Sequence, residues 1–258
     1  VISPLDWLRR RRLQEALVGY PVYDPPHRRE ERLLSREQAI ENLDHFLRVR
    51  HERLAWFQDW LRQRFGVALT LDRQGVVALN RWGNKFAGLL IPGGPERASY
   101  FTYEPRWVGD HAIYNVIFDA GIAFGEAIIA ACPKLHWAVD PTWRLRPEHS
   151  KRLKREPGMS FQRPEITGCD NPAWSQPVLH NVFGFAVLMR QPHNRARCRL
   201  QDGGAFFEIN RNLLVSRYGS ILSSYPAGDP DGLLKQVTMD DYLRLLEAED
   251  QENEGDED

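Results

Sequence analysis

The sequence predicts an α+β fold: N-terminal helices, a central buried helix over about 110–131 packed on a small, mainly antiparallel sheet, a C-terminal helix and a disordered acidic tail. Three observations carry that expectation. A capped run of helical period fills 36–65. The stretch DHAIYNVIFDAGIAFGEAIIAA (110–131) is apolar almost all round. Short apolar runs punctuated by proline and glycine follow it.

Residues 1–34 read as a basic lead-in, with LDWLRRRRLQEAL as a short helix and YPVYDPPHRREER as loop. Ser35 followed by Gln38 has the spacing of a capping box and Gly66 supplies a stop, so a helix is expected over 36–65. Its apolar stripe is Ile40, Leu43, Phe46, Leu47, Leu54, Phe57, Leu61 and Phe65. Arg50 interrupts that stripe and is expected to pack its stem while its head reaches water; the alternative is burial against a carboxylate of the central helix. VALTLD (67–72) is a short strand or a connector, and 74–90 a second helix weakened by Gly83 and Gly88. After the break at 92–95, SYFTYEPRW (99–107) alternates aromatic and polar residues, as an edge strand does, with Pro105 excluding a sheet centre.

Cys132-Pro133 ends the central helix, and LHWAVD (135–140) reads as a strand returning along it. Residues 141–177 show little periodicity and read as a long irregular segment. PVLHNVFGFAVLM (177–189) reads as a buried strand, AFFEI (205–209) as another, and 210–222 as helix or strand. Thr238 and Asp241 cap a final helix with Met239, Tyr242, Leu243 and Leu246 on its apolar side. The division is then a lead-in (1–34), a single α+β domain (35–246) and an acidic tail (247–258).

Composition narrows the class. At 258 residues, 42% apolar and 27% charged, the chain has the make-up of a folded globular protein. The apolar run from Asp110 is broken by Asn115, Asp119 and Glu126, so no membrane span is expected. VISPLDWLRRRR does not have the layout of a secretory signal. Cys132, Cys169 and Cys198 are widely spaced, which gives neither a disulfide framework nor a zinc site and points to the cytoplasm. The net charge of −1 hides an asymmetry: eight of the last twelve residues are acidic, and without them 34 basic residues stand against 27 acidic ones. Twenty-nine of the basic residues are arginines, spread along the whole chain.

The central helix also holds the only compact polar constellation. At 100° per residue His111, Asn115, Asp119 and Glu126 fall within an arc of about 80°, which Ile122 interrupts. The remaining surface is apolar, so the helix belongs in the core with this strip left for water, a partner or a substrate. No catalytic role is assigned: these four are the candidates, and the favoured reading is that Asp119 and Glu126 form a solvated strip or pair with arginines from neighbouring elements. Asp119 and Glu126 lie seven residues apart, about 10 Å along the axis, which is too far for one metal ion held by this helix alone. The Glu-x-x-His pair of two-helix carboxylate sites is missing, and no nucleophile elbow, zinc-binding His-Glu-x-x-His, P-loop or dinucleotide fingerprint occurs. No metal and no cofactor is therefore expected. The second candidate is basic: Arg144, Arg146, Lys151, Arg152, Lys154 and Arg155 cluster in the irregular segment and would suit an anion or an acidic partner. Aromatic residues there are few, so nucleic acid is not favoured.

The run DAGIAFGEAIIAACPKLHWAVD (119–140) resembles bacterial domains of no established activity, in which a long apolar helix ends in Gly-Glu and a tryptophan-bearing strand follows. Gly121, Gly125 and Glu126 match the helix part, and Trp137 and Asp140 the strand part. The resemblance implies an α+β protein of the partner-binding or immunity type. Together these readings lead to a cytoplasmic, non-catalytic protein-interaction module with a protein partner and no membrane. The alternatives are a hydrolase or metal-dependent enzyme using Asp119 and Glu126, and a nucleic-acid-associated protein using 144–155.

Overall fold

In the computed structural model, which describes residues 4–91, 96–139, 161–168, 174–190 and 212–225, seven α-helices and a three-stranded antiparallel sheet form an α+β fold. The helices are α1 (Pro4–Leu17), α2 (Arg36–Phe65), α3 (Arg73–Phe86), α4 (Glu96–Phe101), α5 (Ile113–Ala131), α6 (Val178–Arg190) and α7 (Leu213–Ser224). The strands are β1 (Leu135–Val139), β2 (Pro164–Gly168) and β3 (Ser175–Gln176), ordered β1-β2-β3.

Helix α2 begins where its capping residues dictate. Ser35 accepts from the Gln38 backbone at 3.2 Å while the Gln38 side chain accepts from the Ser35 backbone at 3.0 Å. It ends at Gly66, which takes the left-handed conformation (φ 68°) and returns its N–H to the Arg62 carbonyl. Phe46, Leu54, Phe57 and Leu61 are buried on its inner face, whereas Ile40 remains 41% exposed. The 1–34 segment feeds the same core, through Leu13, Ala16, Tyr20 and Tyr23. The Trp60 indole donates to the Ala16 carbonyl at 2.7 Å, which ties the end of α1 to α2.

Helix α5 is the axis of the molecule, touched by α2, α3, α6, α7 and β1. All of its residues from Tyr114 to Ile128 are buried. Two glycines explain how so many neighbours fit. A Cβ on Gly121 would lie 2.8 Å from the Leu179 side chain, so α6 packs almost onto the α5 backbone. A Cβ on Gly125 would lie 2.3 Å from the Trp137 ring and 3.2 Å from Ile166. Trp137 and Ile166 are cross-strand partners on β1 and β2, and this pair is what seats the sheet on α5. With 18 residues or more of high hydropathy, Gly109–Ala131 is the one described helix long and apolar enough to cross a membrane, and 83% of that window is buried inside the fold.

Several elements differ from the sequence expectation. SYFTYEPRW is not an edge strand: Glu96–Phe101 is helical, and the irregular chain beyond it contains a cis Glu104–Pro105 peptide. Its alternating aromatics are all inward. Tyr100, Phe101, Tyr103 and Trp107 are buried, and the Trp107 indole donates to the Ser99 carbonyl at 2.9 Å. PVLHNVFGFAVLM is helix α6, whose apolar residues on nearly every side reflect burial between α5, α7 and the sheet. The segment read as irregular contains β2 and β3, with β2 buried along its whole length. Residues 67–72 form a connector, and 213–224 resolve as helix. The expected AFFEI strand, the helix capped by Thr238 and the acidic tail lie outside the described residues.

Candidate functional site

The polar stripe of α5 is assembled as its periodicity demands, but it is closed. Asn115 and Asp119 are fully buried and Glu126 is 8% exposed, so no strip is left for water. The reason lies on α2 and on the chain between α1 and α2, which bring a matching row of donors. Asn115 Oδ1 accepts from the Tyr23 backbone at 2.7 Å, and its Nδ2 donates to the Trp107 and Ala112 carbonyls at 2.8 and 3.0 Å. It therefore acts as a bracket between three chain segments.

Asp119 receives three hydrogen bonds. Arg53 Nε reaches Oδ1 at 2.7 Å, Arg53 Nη2 reaches Oδ2 at 2.9 Å, and the Tyr20 hydroxyl donates to Oδ2 at 2.8 Å. The fork geometry is the strongest form of such a pair. Burial nevertheless pushes the Asp119 carboxyl up to about 6, with the Arg53 charge and the two donors pulling the other way. Burial also raises the Tyr20 phenol, and the neighbouring Asp119 charge adds to it. Arg53 lies beneath the Tyr23 ring, its guanidinium carbon 5.5 Å from the centroid.

Glu126 Oε1 accepts from Arg50 Nε at 3.0 Å and from the Trp137 indole at 2.8 Å. Arg50 therefore does not send its head freely to water: it meets a carboxylate of the central helix, with its side chain 22% exposed. His111 is separated from the other three. It sits half-buried ahead of α5 and stacks on Tyr114 at 5.9 Å, with no hydrogen bond to Asn115, Asp119 or Glu126. The four candidates thus share a face but not a pocket, and three of them are occupied by partners that chemistry would have to displace. Among the described residues no group of three His, Cys, Asp or Glu side chains is placed to hold a metal ion.

A second buried ionic cluster has no counterpart in the sequence reading. Arg163, 1% exposed, lies with its guanidinium carbon 4.3 Å above the Tyr100 ring and 5.1 Å from the Phe101 ring. Glu31 faces it at 3.5 Å, an ion pair without an aligned hydrogen bond. Burial raises the Glu31 carboxyl, while Arg163 and the Tyr103 hydroxyl hold it down. Burial works against the charge on Arg163, but Glu31 and the Tyr100 and Tyr103 phenols outweigh it and raise the group further. Gln162, the residue before it, adopts φ 64° and donates to the Glu31 and Leu34 carbonyls at 3.0 and 2.8 Å. That left-handed turn holds the Arg163 backbone against the 31–34 segment. Nothing in the Gln-Arg-Pro-Glu context at 162–165 marks these residues as core.

The basic cluster Arg144, Arg146, Lys151, Arg152, Lys154 and Arg155 lies outside the described residues. No protein-family model, curated protein or solved structure matches the chain.

Proposed function

We propose that the chain is a non-catalytic protein-interaction module of the immunity type, working in the bacterial cytoplasm. The observation that carries this reading is the closure of the α5 stripe. A general acid or base must have a lone pair or a proton available to substrate at hydrogen-bond distance. Asp119 instead receives a two-point arginine contact and a tyrosine hydroxyl with no exposed surface, and Glu126 receives an arginine and an indole. Buried pairs of this kind set how elements fit together. The resemblance over 119–140 supports the same reading, because Gly125, Glu126 and Trp137 are here packing and bonding partners of one another. A hydrolytic or metal-dependent activity on Asp119 and Glu126 would require both pairs to open.

The test is capture of the tagged full-length chain from its host, followed by calorimetric titration of the purified partner. A saturable protein complex that survives Asp119→Asn is the expected result. Turnover of a small molecule, lost in Asp119→Asn or Glu126→Gln while the circular dichroism is unchanged, would replace this reading with the enzymatic one.

A further inference from the structure

A depression with a volume of about 590 Å³ lies between α1 and α3, lined by none of the α5 stripe residues. Its construction is regular. Helix α1 contributes Leu5, Leu8, Arg9 and Arg12, spaced i, i+3, i+4, i+7, and α3 contributes Ala78, Arg81, Trp82, Lys85 and Phe86 at the same spacing. Phe65 and Val67 close the floor where α2 gives way to the connector. Each helix therefore offers about two turns of one face, roughly 10–12 Å long, to something lying between them.

The chemistry of the groove is one-sided. Its floor is apolar, with Trp82 and Phe86 buried and Leu5 and Leu8 left 45% and 56% exposed. Trp7, beside them on α1, is 54% exposed. Four cations rim it and none of the lining residues carries a carboxylate. Arg9 pairs with Asp6 and Arg12 holds the Arg64 carbonyl over the Phe65 ring, whereas Arg81 and Lys85 make no ion pair with a described residue. An apolar floor between cationic walls fits a ligand with the reverse pattern: apolar on one face and acidic on its flanks.

We propose that this groove binds an amphipathic helix of a partner protein, with apolar anchors at i, i+3 or i+4 and i+7 facing Trp82, Phe86 and Leu8, and acidic residues on both flanks facing Arg12, Arg81 and Lys85. The proposal rests on the interaction-module reading above and names the partner's chemistry. A third helix laid between two splayed ones is the ordinary way to complete such a packing. A second copy of the chain fits less well, because a self-complementary contact would bring the same cations face to face. A nucleic acid would meet the cations but would leave Leu5, Leu8, Phe65 and Val67 against a hydrophilic backbone.

The experiment uses the full-length chain as bait for a displayed library of random peptides of about sixteen residues, roughly four helical turns. The enriched peptides are then measured, without counter-selection, against the full-length Arg81→Glu/Lys85→Glu variant. Both substitutions are at exposed positions, and Leu8→Glu, also exposed, provides an independent disruption of the floor. The expected result is enrichment of acidic sequences with helical apolar spacing. Their affinity, read by fluorescence anisotropy, should fall at least about tenfold in either variant and weaken as salt rises. Enrichment of basic or neutral sequences overturns the proposal, as does the absence of enrichment. Peptides that bind equally to bait and variants overturn the groove while leaving the interaction module standing. Three other occupants are separable in the same preparations. Carbodiimide joining of Lys85 to residues 247–258 in dilute protein assigns the groove to the chain's own C-terminal segment. Dimerisation abolished by Arg81→Glu/Lys85→Glu assigns it to a second copy. Displacement of the selected peptides by a single-stranded oligonucleotide assigns it to nucleic acid. Each of these results would overturn the partner helix.

Discussion

Arg53 and Asp119 meet across the α2–α5 interface in a two-point ion pair of 2.7 and 2.9 Å, with the aspartate fully out of solvent. Buried charges so placed are costly to separate, and their titration is felt by the whole fold.

The first prediction concerns pH. Burial raises the Asp119 carboxyl to about 6 in the folded chain, from an ordinary value near 3.8 when unfolded. Between these values the folded chain holds a proton that the unfolded chain has lost, so stability from this group falls as pH rises from about 4 to about 6 and is flat above. Two pKa units correspond to roughly 3 kcal/mol. Urea titrations of wild type and Asp119→Asn across that window should show wild type losing stability relative to the variant by an amount of this order. A constant difference would mean that Arg53 keeps the carboxylate ionised throughout.

The second concerns the contact between α5 and the sheet. An alanine Cβ at Gly125 would enter the Trp137 ring, so Gly125→Ala should cost about 1–3 kcal/mol by overpacking. Trp137→Phe shortens the intruding ring and removes the donor to Glu126. In a double-mutant cycle the Gly125→Ala/Trp137→Phe pair should therefore cost less than the sum of the singles. Additive effects would show that the two residues do not meet.

A third prediction is the simplest measure of the core. Phe124 is fully buried on α5, and Phe124→Ala should lower the unfolding free energy by about 3–5 kcal/mol. Loss of less than about 1 kcal/mol would place α5 at the surface.

The fourth addresses the second cluster. Arg163→Met leaves the Glu31 carboxylate buried without its cation and should cost about 3–5 kcal/mol. Adding Glu31→Gln removes the orphaned charge, so the double variant should be more stable than Arg163→Met alone. A double variant that is less stable would mean that Glu31 serves the fold through contacts other than Arg163.

How far these features were legible depends on whether their cause is local. The boundaries of α2 follow from Ser35, Gln38 and Gly66, which are adjacent in sequence, and they coincide with the expectation. The burial of α5 follows from a composition that leaves no other option, and Val116, Ile117, Ala120, Phe124 and Ile128 are buried as expected; Ile113 is half-buried. The α5 stripe is legible, and so is the pairing of Asp119 and Glu126 with arginines of neighbouring elements as one of the expected outcomes; the part played by Arg53 and the Tyr20 hydroxyl is not, because these donors sit on α2 and ahead of it. The signal that the sequence does carry for Arg53 is its position three residues after Arg50, on the same side of α2. Helix α6 reads as a strand in the sequence because a short segment buried on all sides loses the 3.6-residue signature that distinguishes the two. Phe101, Tyr103 and Trp107 fall on the alternate positions of a strand, yet they belong to the end of a short helix and the irregular chain that follows it. For Glu31 and Arg163, 132 positions apart, no local pattern carries the contact.

Residue numbers rise along α2 as they fall along α5 through the two pairs, Arg50 with Glu126 and Arg53 with Asp119. A purely aliphatic seam between these helices would tolerate sliding, since one leucine-sized knob fits a neighbour's hole nearly as well as its own. Here a slide of one turn, about 5.4 Å, would put Val49 or Phe57 opposite Asp119 and strand two charges in hydrocarbon. The ion pairs therefore work as a key in a slot: they admit one alignment of α2 on α5, and with it one placement of every element that α2 carries.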